Sequence, residues 1–239
     1  CALPISVLCT TGDLATALRL QGKLDEANEL CEPRLDSMRR VLGRDHTLTL
    51  SAEQIVAEAM AARGEHAAAQ VLGRDVLNRA RKAKGKADPI TINATVALGR
   101  VFAASGRPDE AISVVRETRA HVQRKAVRRP NDLFVLDDML AELLEHSGRL
   151  QEAVAMRRRL ADEAERVNGI DHPLTASALN KHALATAALE DSRGHHAAAV
   201  AIYRKLLPTY EDALGPEHPE TRSVAGRLEA SERRAHGAE

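Results

Sequence analysis

Between Thr91 and Ser105 the apolar side chains fall at Val96, Leu98, Val101 and Phe102, close to the period of a helix. After Gly106 a second stretch puts Ala111, Val114, Val115, Thr118 and Val122 on one face. Gly106 suits the left-handed cap that ends the first of these helices. Pro89 fits its first turn, where a missing N–H costs no hydrogen bond. Asp109 and Glu110 open the second helix, with negative charge at the positive end of its dipole. The unit therefore reads as helix, turn, helix.

The pattern recurs along the chain. Gly22, Gly64, Gly106, Gly148 and Gly194 are spaced 42, 42, 42 and 46 residues apart. Five positions after each stands an alanine: Ala27, Ala69, Ala111, Ala153 and Ala199. Seven positions before the first four stands a small residue: Ala15, Ala57, Gly99 and Ala141. In the fifth unit the match is Ala183, eleven before Gly194, which puts four extra residues between them. A second set of landmarks keeps the same spacings: His46-Thr47, Asp88-Pro89, Pro130-Asn131, His172-Pro173 and His218-Pro219. Two independent landmarks with one period mark a repeat architecture.

The predicted fold class is all-α, with helices over residues 5–21, 25–42, 48–63, 67–84, 90–105, 109–124, 132–147, 151–168, 174–192, 196–213 and 219–234. They pair into units of about 4–45, 46–87, 88–129, 130–171 and 172–217, and a capping helix follows at 218–235. The four extra residues lengthen the ninth helix, whose end, Ala188 to Arg193, is expected to project into solvent. The last helix offers only Val224, Ala225, Leu228 and Ala230 for burial, and a polar end helix solvates the end of a stack.

Composition agrees with close-packed helices. Apolar residues make up 44% of the chain but aromatics only 2%, so the core is Leu, Val and Ala. Lys and Arg number 34, as do Asp and Glu, and the formal net charge is zero. Bulk attraction to nucleic acid or an anionic membrane is not expected, and no apolar run approaches a membrane span. The three cysteines show neither metal-ligand spacing nor a disulfide pattern, which favours a cytoplasmic location. Cys1-Ala-Leu-Pro-Ile5 back-translates as TGT GCT CTT CCG ATC, which resembles the end of a sequencing-library adapter. Residues 1–5 are read as a non-native scar, the alternative being a chain trimmed at its N-terminus, and on either reading the chain is expected to be part of a longer protein.

Chemistry is sparse. The chain has no Gly-x-x-x-x-Gly-Lys-[Ser/Thr] loop and no His-Glu-x-x-His motif. His46, His172 and His218 stand a repeat or more apart, too far to share a metal, and the adjacent His195 and His196 diverge. Cys31 falls in a core slot, as a buried inert thiol. No cofactor, metal or catalytic residue is expected, and the chain does not read as an enzyme. Arg40, Lys82, Arg124 and Arg166 share one slot near the end of each second helix. They oppose the negative end of its dipole, or form a row of cations that takes an anion.

A small residue, then Gly, then Ala five positions on resembles the tetratricopeptide repeat (TPR). The 42-residue period, His172-Pro173-Leu174-Thr175, His218-Pro219-Glu220-Thr221 and the linkers Leu42-Gly43-Arg44-Asp45-His46 and Leu214-Gly215-Pro216-Glu217-His218 resemble more particularly the units of kinesin light chains and their bacterial relatives. The resemblance implies a single right-handed superhelical solenoid of antiparallel helix pairs over residues 1–239. It also implies a scaffold that binds a peptide or protein segment on its concave face. The alternative is the C-terminal sensor or regulatory domain of a larger signalling ATPase or transcription regulator, with an N-terminal regulatory domain missing from this fragment. The family's groove slots carry over to Ser51, Gln54 and Glu58; Asn93, Val96 and Arg100; Val135, Asp138 and Glu142; and Ser177, Asn180 and Leu184. Arg100 on one side and Asp138, Glu142 and Glu145 on the other suggest a ligand centred on the third and fourth units, with apolar contact at Val96, Ala103 and Val135. Those repeats usually carry an Asn pair in the first helix. Here its first slot holds Gln54, Val96, Asp138 and Asn180 and its second Ile55, Ala97, Met139 and Lys181, so only Asn180 matches.

Overall fold

The computed structural model describes residues 5–125 and 130–237. Of the stretch 1–5 read above as a scar, residues 1–4 lie outside the described residues, as do the unit edges at 4 and 129. The described residues are helical, with no strand among them. They form α1 (Ile5–Leu20), α2 (Leu24–Cys31), a 3₁₀ turn (Glu32–Arg34), α3 (Leu35–Val41), α4 (Thr47–Ala62), α5 (His66–Lys84), α6 (Pro89–Ala104), α7 (Pro108–Gln123), α8 (Pro130–His146), α9 (Leu150–Asn168), α10 (Pro173–Ser192), α11 (His196–Leu214) and α12 (Pro219–His236). The chain gathers into two compact parts, residues 1–143 and 144–239.

Helix ends fall within about two residues of expectation from α4 onward. The exception is the second helix, expected unbroken over 25–42. Pro33 supplies no N–H, and the backbone tightens there into the 3₁₀ turn between α2 and α3.

In the first part α4 touches α1, α2, α5 and α6, and α6 touches α5 and α7. Ala27, Ala69 and Ala111 are each fully buried. The small residues before the turn, Ala15, Ala57 and Gly99, are buried with them. At Gly99 the approach is closest: a Cβ there would lie 3.3 Å from Met139 Cε and 3.4 Å from Val115 Cγ2. Gly106 turns the chain at φ 70°, and the Arg107 N–H reaches back to Phe102 O at 2.9 Å.

Four of the described inter-unit linkers solve a second problem, the unsatisfied N–H groups that begin a helix. His46, His172 and His218 accept, through Nδ1, the N–H of Leu48, Leu174 and Glu220 at 3.3, 3.2 and 3.2 Å. Asp88 does the same for Ile90 at 2.9 Å. Pro89, Pro173 and Pro219 follow at the first turn. The threonine two residues later is buried. Thr175 Oγ1 donates to Gly169 O at 2.8 Å, and Thr91 Oγ1 to Gly85 O at 2.7 Å. In His172-Pro173-Leu174-Thr175 the motif is thus a cap, a helix starter and a tie to the preceding linker, while Thr221 of the second such motif donates instead to Tyr210 O of α11 at 3.3 Å.

A polar slot also recurs on the first helices. Glu53 is fully buried and bound by Arg39 at 2.8 Å and by Arg79. One repeat on, Thr95 meets Thr118 at 2.9 Å, and the next holds Asp137, bound by Arg119.

In the second part α9 packs on α10, α10 on α11, and α11 on α12. Ala153 and Ala199 are fully buried. At 20 residues α10 exceeds the 16 of α4 and α6, so the insertion does lengthen this helix. Two details differ from expectation. Ala187, not the half-buried Ala183, packs with Ala199, Tyr203 and Val224. Ala187 stands seven residues before Gly194, as Ala15, Ala57, Gly99 and Ala141 stand before their glycines, so the added turn lies ahead of the helix crossing instead of beyond it. Nor does the end of α10 simply project into water. Glu190 meets His195 at 2.7 Å, Asp191 meets His196 at 2.6 Å, and Asp191 also pairs with Arg234 of α12. On α12 itself Thr221, Val224 and Ser231 are buried.

Two substitutions test this frame. Ala111→Leu forces a larger side chain into the helix crossing and is expected to cost about 1–3 kcal/mol in chemical denaturation; unchanged stability would contradict the packing. His172→Ala removes a cap and should cost about 1 kcal/mol, whereas His172→Asp should retain most of it, because Asp88 already serves in that slot.

Candidate functional site

The groove slots of the first part divide between interior and surface. Gln54, Glu58 and Val96 are buried, at 3%, 7% and 6% exposure. Ser51 and Ala103 are half-buried, and Asn93, Arg100 and Val135 are exposed. The reason for burial is that α4 and α6 are packed on several sides, so little of either helix remains free. Arg100 does not wait for a partner charge: its Nη1 donates to Glu58 Oε2 at 3.3 Å, and Arg19 lies 3.7 Å from the other oxygen. Asp138 and Glu142 are half-buried and engaged by neighbouring groups. Their charge is partly spent within the protein.

In the second part three predicted slots come together. Ser177, Asn180 and Leu184 of α10 line a cleft of about 550 Å³. Thr209, Tyr210, Ala213 and Leu214 of α11 form another wall, and Glu220, Val224 and Arg227 of α12 a third. Its volume lies in the usual range for ligand pockets, and its lining mixes apolar surface with a few polar groups, as binding clefts do.

Arg157 also lines this cleft, and sequence reasoning missed it. It is 5% exposed, and its Nε donates to Glu145 Oε1 at 2.7 Å. A signal was present. On α9 the buried stripe runs Ala153, Arg157, Leu160, Ala161 and Ala164, which places the arginine in helical register with apolar residues. One, two and three repeats earlier the same slot holds Val115, Gly73 and Cys31, all buried. A charge taken out of water there needs a partner, which Glu145 supplies.

Burial raises Tyr210 above the usual tyrosine range, and the neighbouring Glu220 carboxylate adds to the effect. Tyr203, deeper in the same part, is raised by burial as well. Burial pushes the Cys31 thiol up to about 11, which keeps it protonated and unreactive at neutral pH. Among the described residues no three His, Cys, Asp or Glu side chains gather as metal ligands. No helix there is long and apolar enough to cross a membrane.

Comparison with known proteins places this frame. Models of the tetratricopeptide repeat match residues 6–82 and 52–124, and again 138–174 and 175–220. No curated protein matches by sequence. Among solved structures the chain resembles the kinesin light chain TPR-like repeats of Podosopora anserina, with TM-score 0.59 and 20% identity over 95% of this chain and 96% of that one. A point-substituted form of those repeats gives TM-score 0.62 and 21% identity over 86% and 95%. BtubC (BKLC) of P. vanneervenii gives TM-score 0.65 and 16% identity over 89% and 84%. At these identities the likeness is one of fold.

Tyr203 and Tyr210 are the only tyrosines, so an alkaline titration at the phenolate absorption band reads both. Both should ionise above the ordinary value of 10.0. Their raised values make folding favour the neutral phenol. Stability should therefore fall as pH rises from 10 through the folded-state values. Ionisation of either at 10 in the folded chain would contradict its burial.

Proposed function

The chain belongs to the tetratricopeptide repeat family, and on that premise we propose that it is a protein-interaction scaffold whose cleft between α10, α11 and α12 binds an extended or helical segment of another protein. The observation that carries this reading is the convergence of Ser177, Asn180 and Leu184 on one concave surface of suitable size. Asn180 is also the one residue here that matches the Asn pair usual in kinesin light chain repeats, so cargo preferences of those proteins are not carried over.

The lining sets the chemistry of the segment. Leu184 and Leu214 offer apolar surface that would cover one aliphatic or aromatic anchor. Asn180 and the Tyr210 hydroxyl can hydrogen-bond a peptide backbone, in the manner that fixes the register of an extended chain. Glu220 and Arg227 bring charges of both signs to the walls, which select among partners and steer them more than they add affinity. Arg157, neutralised by Glu145, supports the lining from beneath. In the first part, Asn93, Arg100 and Val135 are the groove slots left exposed for a second set of contacts.

A peptide array probed with the whole chain should return segments with one apolar anchor flanked by polar residues. Leu184→Asp together with Asn180→Ala should weaken the captured peptides by about tenfold or more, since loss of a central anchor costs the most. If every captured peptide binds the double variant unchanged while its melting temperature stays that of the parent, the cleft is not the site.

A further inference from the structure

On a chain of zero net charge, one short stretch is strongly basic: Arg79-Ala80-Arg81-Lys82-Ala83-Lys84-Gly85-Lys86. It forms the last turns of α5 and the start of the linker to α6. Arg81 ties this end to α7, its Nη2 donating to Glu117 Oε2 at 3.1 Å and Thr118 Oγ1 at 3.3 Å. Gly85, at φ 99°, turns the chain, and Lys125 Nζ donates to Ala87 O at 3.3 Å. The result is a cleft of about 360 Å³ lined by Lys84, Lys86, Asp88, His121, Arg124 and Lys125.

The carboxylates at this cleft are already committed. Asp88 caps α6, and Glu117 holds Arg81 and lies 4.0 Å from His121. Among the described residues no carboxylate pairs with Lys84, Lys86 or Arg124, and all three are exposed. Compensation of helix dipoles does not require such a cluster. The equivalent α11 ends with no basic residue in its last turn, and on α9 the one cation there, Arg166, is paired with Glu163 at 2.6 Å. Among the described residues these exposed, unpaired cations gather where this linker meets the end of α7. The gathering also separates members of the repeated cation slot: Arg166 is satisfied locally, whereas Lys82 and Arg124 stand beside further unpaired cations.

We propose that this cleft docks an acidic segment of a partner protein, whose carboxylates are taken by Lys84, Lys86 and Arg124. A peptide suits the site better than a nucleic acid. No aromatic side chain lines the cleft to stack a base, and the neutral chain creates no long-range field for a phosphate backbone. This cleft shares no residue with the proposed α10–α12 cleft, so the two can be tested by separate substitutions.

The test uses the whole chain and a fluorescein-labelled octa-glutamate peptide, followed by fluorescence anisotropy across a salt series. Binding should weaken as salt rises, because exposed charges are screened. The triple reversal Lys84→Glu, Lys86→Glu and Arg124→Glu should lose about tenfold or more in affinity, and the milder Lys84→Gln, Lys86→Gln, Arg124→Gln triple should fall between. Leu184→Asp should leave it unchanged. The proposal is overturned if the parent chain does not bind the peptide, or if the glutamine triple, with a native circular dichroism spectrum, binds as well as the parent. It is equally overturned if a single-stranded oligonucleotide of the same charge binds more tightly through the same three residues.

Discussion

Everything in this fold depends on how closely two paired helices can approach. The alanine five residues after each turn glycine is fully buried wherever it occurs, and its partner across the crossing is small in turn. With so few aromatic side chains available, the core cannot span wide gaps, and short interaxial distances are the physical alternative. Close approach lets Leu, Val and Ala side chains fill the space at interior density. It also explains why the repeat is conspicuous in glycine and alanine rather than in large apolar residues: the constraint is on what must be absent from the crossing.

Close packing leaves the polar backbone ends of many short helices to be satisfied. The linkers do this with side chains drawn from a narrow menu. Imidazole or carboxylate accepts the first free N–H, proline starts the helix, and a buried threonine returns a bond to the previous linker. Inside the first part, Glu53 shows the other side of the same economy. A fully buried carboxylate between two arginines is tolerable because both are tied to it, and truncating one partner would leave an expensive charge behind.

The repeat, the helix ends and the buried alanines were legible because they depend on local chemistry: turn glycines, caps and spacing. What escaped depends on neighbours several helices away. Gln54 and Glu58 look like surface residues by type, yet α4 is enclosed by α1, α2, α5 and α6. Arg100 looked like a free charge, although its partner Glu58 stands one full repeat earlier. Pro33 was a visible local signal that the strong periodicity overrode. Arg157 was detectable, since a charge in an otherwise apolar stripe is a mark of a special site. Asn180, Ser177 and Leu184 were placed through resemblance alone, and it is the structure that brings them to one cleft.

The extra turn of α10 has a consequence for how such a chain can change length. Four residues advance a helix by about 6 Å and rotate it by about 400°, so the inward face returns within some 40° of its starting direction. An insertion of two residues would rotate everything beyond it by about 200° and point the apolar stripe outward. Helix length in this architecture is therefore quantised, and only near-whole turns are neutral enough to persist. Ala187 shows the outcome: it keeps the seven-residue spacing to Gly194 and packs with Ala199, so the extra turn lies ahead of the crossing. A near-whole turn added ahead of the crossing leaves the crossing itself untouched, and that is how a repeat of fixed geometry can lengthen a helix without unfolding.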